Sequence, residues 1–336
     1  MTKTILIIPA EIEIKTGLHI GGSDQEFEIG WIDNPVIMKP CLDCENQEQE
    51  PYIPWSSVKW RMRALLEMYE YGIGGSSKEI DKDFKKLIKV IFEDWKLKKV
   101  NTQDSSQISN QKGFYIDKYW LIQDKDNSVS QLFWASWKDE NNQSFHIPWT
   151  LIVKDFVLQN NYFEKYKNWE LILEEKMENT VPRFIDQNTN PRRIQRVPAG
   201  TRFVGLFVII GEEEQQNWQN TNNEITLEQK FKLFKRWIKL IESTYLGWSW
   251  TRGYGSVRFK FYKPEFSKSQ DNNWAKNNSN CKNLHNETNW KASIEEILQA
   301  VYDSRDLSCF WEVNLDKIEI KDFIISTKSN GSETSE

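Results

Sequence analysis

The run 203-FVGLFVIIG-211 constrains this chain more than any other stretch. A short continuous apolar run of this kind is a buried strand, far below the roughly 18 residues that a membrane span needs. After it comes a helical pattern over 226–243, with Leu227, Phe231, Phe234, Ile238, Leu240 and Ile241 on the apolar side. A glycine-rich loop, 245-YLGWSWTRGYGSVRF-259, then leads into a strand at 256–262. Earlier in the chain, residues 3–15 alternate in the strand manner, and 16-TGLHIGGSD-24 is a glycine-rich turn. An extended piece at 35–40 and a hydrophilic loop at 41–51 come next. A helix is predicted over 56–72, with Ser56 or Ser57 as N-cap and Met62, Leu65 and Leu66 facing inward. A strand at 147–158 completes the set. Short strands with interspersed helices indicate an α+β domain, and the pattern alone leaves the topology open.

Two regions stand apart from this core. Residues 73–146 read as an insertion carrying a charged amphipathic helix, and 266–291 as an Asn/Ser/Lys-rich linker. A short helix at 292–302 and a strand-like piece within 308–326 precede a polar tail. The expected organisation is a core over 1–265, interrupted at 73–146, and an extension over 266–336. The first residues reach acidic side chains too early for a signal peptide, so a cytoplasmic protein with no membrane partner is expected. Four cysteines are too few for a disulfide scaffold. Cys41 and Cys44, taken with Cys281 and His285, would make four zinc ligands, and the rival reading is free thiols.

The net charge of −5 argues weakly against a nucleic-acid binder, but its distribution is uneven. Three windows contain no Asp or Glu: 52–66 with Lys59, Arg61 and Arg63; 187–211 with Arg192, Arg193, Arg196 and Arg202; and 244–263 with Arg252, Arg258, Lys260 and Lys263. Taken singly, each is a solvated face. Brought together by the fold, they would line a basic groove on an acidic protein. The basic first turn of the 56–72 helix also opposes the helix dipole unless an anion sits there.

Several stretches, in order, resemble one family. They are 16-TGLHIGGSD-24, 30-GWIDNPVI-37, 53-IPWSSVKWRMRALLE-67, 176-KMENTVPRFIDQNTNPRRIQRVPAGTRF-203 and 245-YLGWSWTRGYGSV-257. The family is the RAMP backbone subunit of type III-A CRISPR–Cas (Csm) effector complexes. The resemblance implies a ferredoxin-like, RRM-like RAMP core with inserted lid and thumb elements. It also implies copies of the chain stacked as a filament along CRISPR RNA, in company with other effector subunits. Paired target RNA would be cut with the help of a divalent metal, expected to be Mg²⁺.

Asp33 matches the family's loop aspartate. RNA supplies its own nucleophile, the 2′-hydroxyl, so one carboxylate suffices to assist proton removal or hold the metal. Taken alone, an Asp before Asn-Pro is turn chemistry. His19 matches a position near the RNA, which suggests a phosphate or ribose contact, although a lone turn histidine is usually structural. Ser56, Ser57, Lys59, Arg61 and Arg63 surround a helix start that suits a phosphate, with Lys59 and Arg63 on one face and Arg61 off it. Arg183, Arg192, Arg193 and Arg196 fall in the thumb-like segment, where some of them are only surface charges. Arg252 and Tyr254 would contact backbone and stack on a base, and Tyr254 as core is the other reading.

Tryptophan numbers 16 and glycine 15, where ordinary glycine usage of about 7% would give roughly 24. Trp55, Trp60, Trp248 and Trp250 stand where the family has glycine. One account is that UGA is read as glycine in the source organism, so that the natural protein carries glycine at these positions. The other is genuine tryptophan that stacks on bases. The functional expectation is a guide-binding subunit that cuts target RNA. Its rivals are a backbone subunit that binds guide RNA without cutting and the type III-B counterpart.

Overall fold

The computed structural model describes residues 3–22, 34–41, 49–69, 115–116, 122–123, 128–133, 135–138, 144–147, 150–168, 170–171, 173–180, 189–212, 225–248, 250–266 and 292–324. In chain order the elements begin with strand β1 (Lys3–Ile14), the pair β2 (Met38–Pro40) and β3 (Gln49–Pro51), and helix α1 (Trp55–Met68). Two small hairpins, β4 (Tyr115–Ile116) with β5 (Ile122–Gln123) and β6 (Ala135–Lys138) with β7 (Ser144–Ile147), flank α2 (Ser128–Phe133). Then come β8 (Leu151–Val153), β9 (Val157–Leu158), α3 (Asn160–Lys167) and the hairpin β10 (Glu174–Thr180) and β11 (Thr189–Arg196). The chain continues through β12 (Arg202–Glu212), α4 (Leu227–Glu242), β13 (Val257–Phe266), α5 (Ile294–Leu298) and β14 (Phe310–Val313). The charged helix expected within 73–146 and the linker at 267–291 lie outside the described residues.

The main sheet runs β14-β13-β1-β12-β8, with β9 also beside β12, and every pairing in it is antiparallel. β8 and β9 act as one strand interrupted at Phe156, which exchanges backbone hydrogen bonds with Ile53 instead, at 2.9 Å each way. Leaving β14 aside, the order of elements is β1, α1, β8/β9, β12, α4, β13, and the spatial order of the strands is fourth, first, third, second. That is the ferredoxin-like arrangement.

Alternation along β1 places Leu6, Ile8, Ala10, Ile12 and Ile14 on one face, all fully buried. They meet Phe203, Phe207 and Ile209 of β12, Val58, Met62 and Leu66 of α1, and Phe231, Phe234, Trp237 and Ile241 of α4. α4 begins with a reciprocal cap in which Thr226 accepts from the Gln229 amide and the Gln229 side chain accepts from the Thr226 amide. An aromatic cluster of Phe207, Phe234, Trp237 and Phe259, with centroids 5.1–6.3 Å apart, ties α4 to the sheet.

Residues 292–324, outside the expected 1–265 core, pack onto it. Ile297, Val301, Leu307 and Phe310 cover Ile7, Val204, Leu206 and Tyr262 on the second face of the sheet. Both faces are therefore buried. This explains why the apolar positions of residues 3–15 change phase between Ile7 and Ile12. Arg305 locks the extension in place. Its guanidinium donates to both Glu50 carboxylate oxygens, at 2.5 and 2.9 Å, and stacks 3.5 Å from the centre of the Phe163 ring. Cys41 and Cys309 are buried, and each takes part in a disulfide, so Cys41 is neither the free thiol nor the zinc ligand the sequence suggested. Cys44, Cys281 and His285 lie outside the described residues. Among those residues no group of three or more His, Cys, Asp or Glu is placed to hold a metal ion. No helix among them is long and apolar enough to cross a membrane.

Candidate nucleic-acid interface

Asp33 and Arg183 lie outside the described residues, but the chain on the C-terminal side of Asp33 is held on two sides. On one side the 18–22 turn takes it up: Gly22 N–H donates to Pro35 O at 3.2 Å and Ile37 N–H to Ile20 O at 2.8 Å. On the other side is β11. Asn34 N–H donates to Arg193 O at 3.3 Å, and Gln195 N–H donates to Asn34 O at 3.1 Å. The Gln195 side-chain oxygen accepts the Val36 amide at 3.0 Å. His19 Nδ1 lies 2.6 Å from Gln195 O, and a carbonyl only accepts, so Nδ1 carries the hydrogen. Burial lowers the His19 pKa, so the neutral ring is favoured and Nε2 is an acceptor. In that form Nε2 accepts rather than donates, so a phosphate contact would require the ring to take up a proton. Nε2 could take a hydrogen bond from a ribose hydroxyl, but the ring is buried in the free chain.

The glycine loop lies backbone to backbone on the same turn. Trp248 N–H donates to His19 O at 2.9 Å and Gly255 N–H to Gly17 O at 3.0 Å. Gly247 and Gly255 both have φ of +81°, and a Cβ on them would fall 2.4 Å from His19 O and 2.0 Å from Leu246 O. Trp248 and Trp250 are not at positive φ, so the requirement for glycine falls on their neighbours. Trp248 projects outward, 50% exposed, as do Trp55 at 40% and Trp60 at 52% on α1.

The β10–β11 hairpin docks on this loop through Glu178. Its carboxylate pairs with Arg252, accepts from the Tyr254 hydroxyl at 3.0 Å and lies 3.6 Å from Lys176 Nζ. Tyr254 is buried, with the Lys176 ammonium 4.8 Å and the Arg196 guanidinium 5.1 Å from its ring centre. Tyr254 is therefore a packing residue, which corrects the base-stacking expectation. Arg196 also donates to Glu174 at 2.6 Å. Arg192 and Arg193 are exposed on β11, and Arg252 is half exposed.

The start of α1 differs from the expected phosphate site. Its N-cap is Pro54, without a side-chain cap, rather than Ser56 or Ser57. Trp55 N–H donates to Asp155 Oδ1 at 2.8 Å, so the anion that the helix dipole favours comes from the chain itself. Lys59 and Arg63 do share a face, as their spacing requires, but it is an inner one beside Met62 and Leu66. Lys59 donates to Leu151 O at 3.0 Å and Arg63 to Glu67 at 2.8 Å, and both are buried. Burial, followed by the nearby Arg63 charge, pushes the Lys59 pKa down to about 8. Arg61 does point elsewhere. It donates to Tyr245 O at 3.1 Å and stacks 3.7 Å from the Tyr245 ring centre.

The three basic windows therefore meet around the glycine loop, through Arg61 on Tyr245 and through Arg196 on Tyr254. The exposed arginines of these windows are Arg192, Arg193, Arg252 and Arg258. Sequence reasoning missed Gln195, Glu178 and Asp155, whose partners lie up to 176 residues away along the chain.

No protein-family model matches the chain. It is similar to the CRISPR system Cms endoribonuclease Csm3 of Methanothermobacter thermautotrophicus, with 30% identity over 76% of this chain and 84% of the relative. The protein of the same name from Streptococcus thermophilus is 29% identical over 78% of this chain and 90% of its own length. A crystal structure of Methanopyrus kandleri Csm3 aligns with 22% identity and a TM-score of 0.41, covering 78% of this chain and 77% of that one. On the strength of the first of these similarities, the chain belongs to the Csm3 family of CRISPR-system endoribonucleases.

Proposed function

We propose that this chain is the guide-binding backbone subunit of a type III-A effector complex and cuts the target RNA paired to the guide. The observation that carries this reading is the identity with relatives named endoribonuclease across most of their length. The reaction asks little of the protein. The 2′-oxygen of the target attacks the neighbouring phosphorus and the bond to the 5′-oxygen breaks, leaving a 2′,3′-cyclic phosphate and a 5′-hydroxyl. One proton leaves the 2′-hydroxyl and one reaches the departing oxygen. Asp33 is assigned to assist the first of these transfers. Arg192, Arg193 and Arg252 attract RNA backbone, and their distribution around one loop favours a bound strand at that end of the sheet.

Mg²⁺ enters this reading through Asp33; among the described residues no group of three or more acidic, His or Cys side chains is placed to hold an ion. When bound, it would stabilise charge on the phosphate. Copies of the chain, the guide, the target and other effector subunits are its partners. The test is Asp33→Ala in the complex assembled with guide RNA. Loss of target cleavage with guide binding retained is expected, and unchanged cleavage would assign a purely structural role.

A further inference from the structure

We infer that Gln195 is a positioning residue for target cleavage. It holds the strand segment that follows Asp33 at a fixed place on the β10–β11 hairpin. The inference rests on the assignment of Asp33 under the proposed function. Three groups of this one residue hold two separate motifs. The backbone N–H donates to Asn34 O at 3.1 Å, and the backbone carbonyl accepts from His19. The side-chain oxygen accepts the Val36 amide at 3.0 Å. Asn34 and Val36 are the first and third residues after Asp33.

The side-chain bond matters most because it replaces a ladder bond. Asn34 pairs with Ile194 as a single parallel bridge, so regular backbone pairing stops after one residue. Beyond it, the Gln195 amide reaches across to the Val36 N–H. Without that acceptor, this stretch keeps one backbone bridge to the hairpin and the two hydrogen bonds to the 18–22 turn. A loop carrying a reacting group tolerates little displacement, and a shift of about 1 Å lowers rates by about 100-fold. Gln195 itself touches no reacting atom in this scheme.

The test uses the full chain assembled with guide RNA and measures single-turnover cleavage of paired target RNA alongside target affinity. Gln195→Leu removes the acceptor at similar size, and Gln195→Met gives the same test should the leucine variant fail to assemble. Gln195→Glu keeps an acceptor for the Val36 amide. Either apolar variant is expected to slow cleavage about 10- to 100-fold with affinity unchanged within about twofold, while Gln195→Glu restores most of the rate. Wild-type cleavage by an apolar variant, a loss that Gln195→Glu shares equally, or a loss of affinity in step with rate would overturn the inference. Asp33→Ala is run beside them. If it cuts normally, the nuclease assignment falls and this inference falls with it. If it is inactive while Gln195→Leu cuts normally, only this inference falls.

Discussion

Arg305 and Glu50 form a two-pronged ion pair, at 2.5 and 2.9 Å, between residues 255 positions apart, and both side chains are buried. Lys39 adds a third contact to the same carboxylate at 3.3 Å. Removing Arg305 leaves the buried Glu50 carboxylate compensated only in part, by Lys39 at its edge. Arg305→Ala is expected to cost about 3–5 kcal/mol of stability, measured by urea unfolding. Replacing both residues with apolar side chains of matched volume should recover much of that loss.

Glu178 is the peg that holds the hairpin on the glycine loop. Glu178→Gln keeps an acceptor for Tyr254 but loses the charge that pairs with Arg252 and Lys176. Hydrogen bonds to charged groups contribute about 1.5–3 kcal/mol, so amide exchange in β10 and β11 should speed up about tenfold or more. Exchange in α4 should not change, and hydrogen-exchange mass spectrometry reads both.

Lys59 gives a pH signature. Its folded pKa of about 8 lies below the ordinary value of 10.5, so the unfolded chain binds its proton more tightly. Between about pH 8 and 10.5 the unfolded state carries that proton and the folded state does not. Stability contributed by this group therefore rises with pH across that window, with a limiting slope of about 1.4 kcal/mol per pH unit. In Lys59→Met the rise should be absent, and unfolding curves at pH 7.5 to 10 for both proteins will show it.

The exposed tryptophans should be nearly dispensable. Trp60→Gly is expected to cost only about 1 kcal/mol, mostly the helix propensity of glycine, because the ring is 52% exposed. Trp237→Ala, at a fully buried site, should cost about 3–5 kcal/mol. If UGA is read as glycine in the source organism, peptides spanning positions 55, 60, 248 and 250 will have the mass of glycine there. UGG codons at those positions would end that account.

The core elements were legible because their patterns are local. α1 and α4 follow from helical spacing, and β12 follows from its unbroken apolar run. The sites were less legible for a geometric reason. That Lys59 and Arg63 share a face follows from their spacing, but that this face turns inward depends on Leu151 receiving the ammonium. The anion expected at the start of α1 is present, yet it is Asp155, 100 residues away. Tyr254 reads equally as core or surface until Glu178 and Arg196 arrive from the hairpin. Gln195 carries no sequence signal at all, since a neutral amide in a strand is unremarked until its three partners are known.

β13 pairs with β1 only over Ala10–Ile14. Nearer the start of β1, Leu6 bridges Ile324 and the Ile7 amide donates to Phe323 O at 3.2 Å. β1 thus leaves the ribosome well before the segment at 323–324 that completes it. Until residue 324 has emerged, the early half of β1 keeps an open edge and an uncovered apolar face, a state that invites pairing with neighbouring nascent chains. Translation speed and chaperone supply, more than thermodynamic stability, would then decide how much of this chain reaches its folded state.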